Sequence, residues 1–283
     1  MHRDCLVCGG DASEALFEKE GIPYHRCPNC DFAFSTPTTN ANFATALDDY
    51  EPAYLAYLET SAEDEANFAA QLRWVEGFRS LRGRRVLDVG AGGGKLVRFL
   101  RSQDVDCHGI EPAKPLYEHF LRDDPCFSAE TLDAFADRAS EPLDAVLAFD
   151  VLEHVERPDL FFASAARVLG PDGMLFVSTP DRGSVLARLT RRRWHYYNKY
   201  HLSYFSRSTL GALARGHGFE ERGFARLGRR KSVGYVLQYF VDFVLGGSLR
   251  VPRRLERLLV PINLHDTMYV AFGRRAHEFV LGE

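Results

Sequence analysis

From residue 84 onward the chain alternates between short apolar runs and longer amphipathic ones. Val86–Val89, Val105–Glu111, Leu143–Phe149 and Met174–Ser178 have the length and apolar composition of buried strands. Between them, Lys95–Ser102, Pro115–Leu121 and Pro158–Leu169 carry apolar residues at helical spacing. A weaker stretch at Cys126–Ala129 adds a further strand. This alternation predicts βαβ units, a parallel sheet and helices on both of its faces. Ahead of it, Ser61–Leu81 reads as an amphipathic helix. Ser61 is placed to cap it, acids crowd the first turn, and Phe68, Leu72, Val75 and Phe78 share one face. Behind it, Ser208–His217 reads as a helix, and Phe219–Leu227 and Thr267–Gly273 as the last two strands. The predicted fold class is α/β, a Rossmann-like sheet of seven strands.

Two stretches break the rhythm. Residues 231–262 form an insertion, expected to be helical. Ser232–Leu245 is apolar on most sides, and Val251–Val260 pairs a leucine face with Arg253, Arg254 and Arg257. Such a pair caps a substrate pocket, forms a homodimer contact, or lies on an anionic membrane surface; all three stay open for residues 232–260. Residues 39–61 are an acidic connector dotted with aromatics.

Charge and cysteine usage narrow the picture. With 35 basic and 39 acidic side chains the net charge is −4, which gives no electrostatic reason to expect nucleic acid. The N-terminus shows no apolar stretch of signal-peptide length, and no run approaches the ~20 residues that span a bilayer. A cytoplasmic location is expected. Cys5-x2-Cys8, 18 residues, then Cys27-x2-Cys30 is the spacing of a four-thiolate zinc site. A reducing cytosol disfavours two disulfides as the alternative. Residues 1–38 therefore read as a zinc ribbon with a structural metal, and residues 62–283 as the main domain. Cys107 and Cys126 stand at no metal spacing and read as small buried hydrophobes.

The chemistry concentrates in RRVLDVGAGGGKL, Arg84–Leu96, where the first strand ends in glycines. Glycine takes positive φ and lets a ligand approach the backbone. A phosphate loop would need glycine at Val89 and Ser or Thr at Leu96; a dinucleotide fingerprint would need glycine at Lys95. What remains is acid-x-Gly-x-Gly-x-Gly: Asp88, Gly90, Gly92 and Gly94.

On these residues the chain resembles the class I S-adenosylmethionine-dependent methyltransferases, from about Ala62 to Arg275. DVGAGGG matches the family's first motif, and GIEPAK places Glu111 as its ribose-binding acid. LDAVLAFDVLEHVERPDLFFASAARVLGPDGMLFVSTPD matches its fourth strand, helix and fifth strand. The resemblance implies that Asp88, Gly90, Ala91, Gly92 and Gly94 form the cofactor loop. It implies that Glu111 and Pro112 meet the ribose, Glu130, Thr131 and Leu132 the adenine, and Asp150 and Val151 the methionine part.

Methyl transfer to a hydroxyl or a carbon acid also needs a base. His154 in DVLEH and His201 are the candidates. His201 lies in RRRWHYYNKYHLSYFS, whose aromatics suggest a concave pocket with polar tips, Tyr197 and Tyr204 among them. YHLSYFS resembles a motif of the zinc-containing sugar C-methyltransferases, in which the histidine at the position of His201 is the base. The expected activity is methylation, on oxygen or carbon, of a small biosynthetic intermediate such as a sugar, nucleotide-sugar, glycan or natural-product precursor. An RNA base methyltransferase and a non-catalytic cofactor-binding scaffold are the alternatives. The acidic balance and the absence of a Pro-Pro-aromatic motif after the fourth strand speak against RNA.

Overall fold

The computed structural model describes residues 4–10, 13–36, 63–234, 236–237, 241 and 258–275. The connector 39–61 lies outside them, as do Ser61 and most of the stretch 232–257. The membrane-surface and homodimer expectations therefore fall largely on residues outside the described set. Among the described residues, no helix is long and apolar enough to cross a membrane.

The N-terminal module has three antiparallel strands, Glu14–Lys19 (β1), Ile22–Arg26 (β2) and Ala33–Ser35 (β3). One cysteine pair precedes β1 and the other occupies the turn between β2 and β3. The module is joined to the main domain by a shared sheet. Strand β3 pairs with Ser203–Tyr204, through Ala33↔Tyr204 and Phe34↔Ser203, and so extends its sheet into the aromatic segment around His201.

After helix α1 (Asp64–Glu76), strands and helices alternate: β4 (Arg85–Val89), α2 (Lys95–Arg101), β5 (Asp106–Ile110), α3 (Lys114–Phe120), β6 (Phe127–Ser128), α4 (Leu132–Arg138), β7 (Leu143–Phe149), α5 (Pro158–Val168) and β8 (Leu169–Pro180). Then come α6 (Val185–Thr190), β9 (Ser203–Tyr204), α7 (Arg207–Gly216), β10 (Phe219–Ala225), β11 (Arg229–Ser232), β12 (Leu259–Ile262) and β13 (Thr267–Arg274). The central sheet runs β10-β13-β8-β7-β4-β5-β6, parallel except for β13, which is antiparallel to both neighbours. Two apolar clusters cover its faces: Leu87, Ile110, Val146, Phe162 and Phe272 on one side, and Val86, Val97, Leu147 and Phe176 on the other. From β4 the chain builds β5 and β6 to one side, then crosses to β7 on the other. That switch opens a crevice beyond the carboxyl end of β4, where the glycines lie.

The expected strands all form; the differences are local. Helix α1 stops at Glu76, because Gly77 caps it, so Phe78 lies beyond its end. Helix α4 is an addition to the sequence pattern. It has seven residues and buries only Leu132 and Phe135, too little periodicity to read, and Thr131 Oγ1 caps it by accepting from Ala134 N. Ser232 closes strand β11 instead of opening a helix, and β11 pairs with β12, so a two-stranded ladder brackets the insertion. Residues 233–234, 236–237 and 241 are helical; the rest of that expected helix lies outside the described residues.

Candidate active site

Three glycines of the bend have a reason to lack a side chain. Gly90, Gly92 and Gly94 all take positive φ, at 73°, 54° and 74°. A Cβ at Gly90 would lie 2.8 Å from Val151, and one at Gly94 2.6 Å from Leu121, so these two serve close packing. Gly92 faces open space. Its amide points at Glu111: Oε2 accepts from Gly92 N at 2.8 Å, and Oε1 from Ala113 N at 2.9 Å. The carboxyl of Glu111 is buried. Burial raises its pKa, and the two amides oppose that rise.

A cavity of about 460 Å³ opens on this bend. Gly90, Gly92, Glu111 and Pro112 form its floor, Thr131 and Leu132 one side, and Asp150, Val151 and His154 the other. The expected contacts Asp88, Ala91 and Gly94 are not on its wall. Asp88 is packed behind the bend, where burial and the nearby Glu111 push its carboxyl up to about 8. Glu130 reaches the wall, but its carboxylate is held by Arg138 and the Ser128 hydroxyl.

This wall fits S-adenosylmethionine. The open face at Gly92 admits a ligand against the backbone. Glu111 keeps lone pairs for ribose hydroxyls, and the largely apolar remainder suits an adenine, with no cluster of cations for phosphate among the lining residues. Glu111→Ala removes both the hydroxyl acceptor and the brace of Gly92. It is expected to weaken S-adenosylhomocysteine binding about 100-fold by calorimetry, the scale of one or two charge-assisted hydrogen bonds.

Strand β7 delivers the opposite wall. Asp150 follows it with φ 56°, and its amide donates to Ser178 O at 3.0 Å. The next residues turn through Leu152–His154. His154 Nδ1–H donates to Tyr200 O at 2.8 Å and His201 Nδ1–H to Tyr196 O at 2.9 Å, with the rings 4.8 Å apart. Both bonds fix the tautomer and leave Nε2 as the lone-pair nitrogen. The nearest ligand atoms of Glu153, His154 and His201 all lie within 4.8 Å of one another. Burial keeps both rings neutral, pushing His201 down to about 3 with help from neighbouring His154. Burial and the charge of Asp150 push Glu153 up to about 8, so it is mainly protonated at neutral pH. Burial works against the charge on Asp150 too, but there the Arg229 guanidinium wins and holds it ionised.

The structure corrects two expected catalytic residues. Tyr197 and Tyr204 point away from the cavity into a buried cluster with Tyr24, Trp194 and Phe17 of the N-terminal side. The Tyr204 hydroxyl donates to His201 O at 2.9 Å, so it braces the backbone of the histidine. Neither tyrosine lines the cavity. Arg229 and Glu153, by contrast, join the site without a place in the sequence reading. Glu153 carries a readable signal, an acid enclosed by apolar residues in DVLEHV; Arg229, in the polar run GRRKS, carries none.

The profile of the methyltransferase domain matches residues 54–221, more than half of the chain. The chain belongs to the methyltransferase-domain family. The ubiquinone biosynthesis O-methyltransferase of Paracidovorax citrulli is 33% identical over 121 residues, 40% of this chain and 51% of that protein. The protein of that name from Cupriavidus pinatubonensis is 27% identical over 167 residues, 53% of this chain and 66% of that one. The chain thus spans one half to two thirds of these relatives. In structure, the chain resembles an S-adenosylmethionine-dependent methyltransferase from Archaeoglobus fulgidus, with TM-score 0.54 and 14% identity over 79% of this chain and 100% of that one. It also resembles magnesium protoporphyrin IX methyltransferase from Synechocystis with bound S-adenosylmethionine, with TM-score 0.51 and 13% identity over 84% and 100%. At such identities these likenesses speak for the fold.

The four patterned cysteines converge as well. Cys5 Sγ lies 3.6 Å from Cys30 Sγ, and Cys8 Sγ 3.6 Å from Cys27 Sγ. Four thiolates ~2.3 Å from one zinc stand about 3.8 Å apart, so the residues fit a tetrahedral metal.

Proposed function

We propose that the protein methylates an oxygen of a small molecule, that His201 accepts the proton of that oxygen, and that a zinc-loaded ribbon holds His201 in place. The cofactor supplies an electrophilic methyl group on a sulfonium; the chain supplies the positions and the base. One observation carries the reading. Beside the cofactor cavity stand two neutral imidazoles, each with Nδ1–H tied to a backbone carbonyl.

The weak basicity of His201 selects among acceptors. A buried imidazole pushed to about 3 takes a proton poorly from an alcohol. A phenolic or enolic hydroxyl is far more acidic, a phenol near ~10, and narrows the gap. This favours an acidic hydroxyl over a sugar alcohol, and the names of the curated relatives, O-methyltransferases, favour oxygen over carbon. A keto-sugar or glycan acceptor is the second reading, supported by the YHLSYFS resemblance.

A screen with methyl-labelled cofactor against phenols, enols, nucleotide-sugars and bulk RNA is expected to show turnover with phenols or enols. The product is expected to carry an O-methyl carbon by NMR. Turnover confined to nucleotide-sugars, or a C-methyl product, rejects this reading of the acceptor. Elemental analysis is expected to find one zinc per chain, with none in Cys5→Ser/Cys8→Ser.

A further inference from the structure

Beyond Asp150 lies a second, smaller cavity of about 170 Å³. Asp150 lines both cavities, so the carboxylate marks where they meet. The other walls come from α1, with Asn67 and Gln71, from β11, with Arg229, and from Tyr269 on β13.

Two polar atoms on these walls have unspent bonding capacity. Arg229 Nε and Gln71 Oε1 are buried with no hydrogen-bond partner among the described residues. Both bonds from Arg229 to Asp150, 2.7 and 2.6 Å, leave from Nη2, so the Nε edge is not used by that pair. Other charges of the pocket are engaged elsewhere. Asp64 pairs with Lys95 at 2.9 Å, and Lys231 with Glu63 at 3.4 Å. Arg229 is also held firmly. Its neighbour Arg230 donates its amide to Asn67 Oδ1 at 2.7 Å and accepts from Asn67 Nδ2 at 3.1 Å, which clamps β11 against α1.

A buried guanidinium edge, an amide oxygen and a carboxylate in one small pocket match the needs of a zwitterionic α-amino acid. The carboxylate end takes the arginine, and the ammonium takes the two oxygens. We propose that Arg229 binds the carboxylate of the amino acid end of S-adenosylmethionine, with Gln71 and Asp150 receiving its ammonium. The inference rests on the cofactor reading above, but its central residue lies outside the region matched by the family profile, 54–221. The arginine is thus a feature of this chain's own C-terminal ladder.

Calorimetry with two probes tests it. S-Adenosylhomocysteine carries the amino acid end; 5′-methylthioadenosine keeps the adenosine and lacks that end. Arg229→Met is expected to weaken S-adenosylhomocysteine about 30-fold, the scale of a charge-assisted bond, and to leave methylthioadenosine within about two-fold. Gln71→Leu, which leaves the Asp150–Arg229 pair intact, is expected to lower only S-adenosylhomocysteine, by about five-fold. Unchanged S-adenosylhomocysteine binding in Arg229→Met overturns the proposal and leaves the arginine only its pairing with Asp150. Equal loss of both probes also overturns it, since the arginine then only supports the fold. Wild-type protein that binds neither probe rejects the cofactor reading itself. Wild-type protein that binds both equally rejects only the arginine's role.

Discussion

His201→Ala is expected to lower kcat by roughly 10²–10⁴-fold, the range of a lost general base, while S-adenosylhomocysteine binds as before. The split follows from geometry. The bend of β4, the end of β5, the Thr131 turn and the segment after β7 line the cofactor cavity, and His201 sits outside its wall, beside His154. The pH behaviour is a second signature. With its pKa pushed to about 3, His201 is already neutral at about pH 5, so kcat should show no acid limb from this residue between roughly pH 5 and 8. Stability should respond instead. The unfolded chain protonates this imidazole near 6.5 and the folded chain only near 3, so the unfolded state binds more protons between those values. Stability therefore falls as pH drops from about 6.5 toward 3, and His154, also lowered by burial, adds to the fall. Melting curves of His201→Ala should decline less steeply over that window than wild type. Full kcat in the variant removes His201 from the reaction, whereas a wild-type acid limb near 6.5 that vanishes in the variant keeps its role and denies only the lowered pKa.

Much of this site is legible before folding, for reasons tied to particular residues. Strands buried on both faces are almost continuously apolar, so Leu143–Phe149 announces itself without any partner. The glycine bend is legible because three of its positions take positive φ and two of those pack too closely for a side chain. The aromatic segment misleads because the residues of a short irregular stretch divide between two sides. Trp194, Tyr197 and Tyr204 turn toward the cysteine module, and Trp194 Nε1–H also donates to Asp266, just ahead of β13, at 3.0 Å. Tyr196 and His201 stack on each other at 5.7 Å beside the site. Nothing local in WHYYNKYHLSYFS separates the two groups. The separation comes from β3, near the start of the chain, which meets this segment only in the fold. Arg229 is hidden in the sequence for a related reason. Its partner Asp150 follows β7 and the cavity it lines is shared with Gln71 of α1, both far from it along the chain.

That long-range pairing joins the cysteine module to the segment that carries His201, and it yields the second large expected effect. Cys27→Ser, or removal of zinc by a chelator, is expected to lower kcat at least about 100-fold, while S-adenosylhomocysteine affinity changes by no more than a few-fold. The module has few buried apolar residues of its own, so a metal would provide much of its folding free energy. Its contacts with the main domain reach the segment that carries His201. Ser35 Oγ–H donates to His201 O at 2.8 Å, Lys19 Nζ donates to Tyr197 O at 2.6 Å, and Arg182 pairs with Asp31 at 2.7 Å. Tyr24 packs against Tyr197 and Tyr204, with ring centroids 5.1 and 5.6 Å away. Loss of the module thus frees the segment that carries His201, and a displacement of about 1 Å is enough to cost ~10²-fold in rate. None of these contacts touches the glycine bend or Glu111, which is why cofactor binding should survive. Hydrogen exchange should show the amides of residues 201–204 losing protection in Cys27→Ser while those of β4 keep theirs. Ser35→Ala, which removes one brace and keeps the metal, is expected to give a several-fold loss in kcat with normal zinc content. Full activity in zinc-free protein would separate the module from catalysis. Joint loss of activity and S-adenosylhomocysteine binding would make it a support for the whole fold instead.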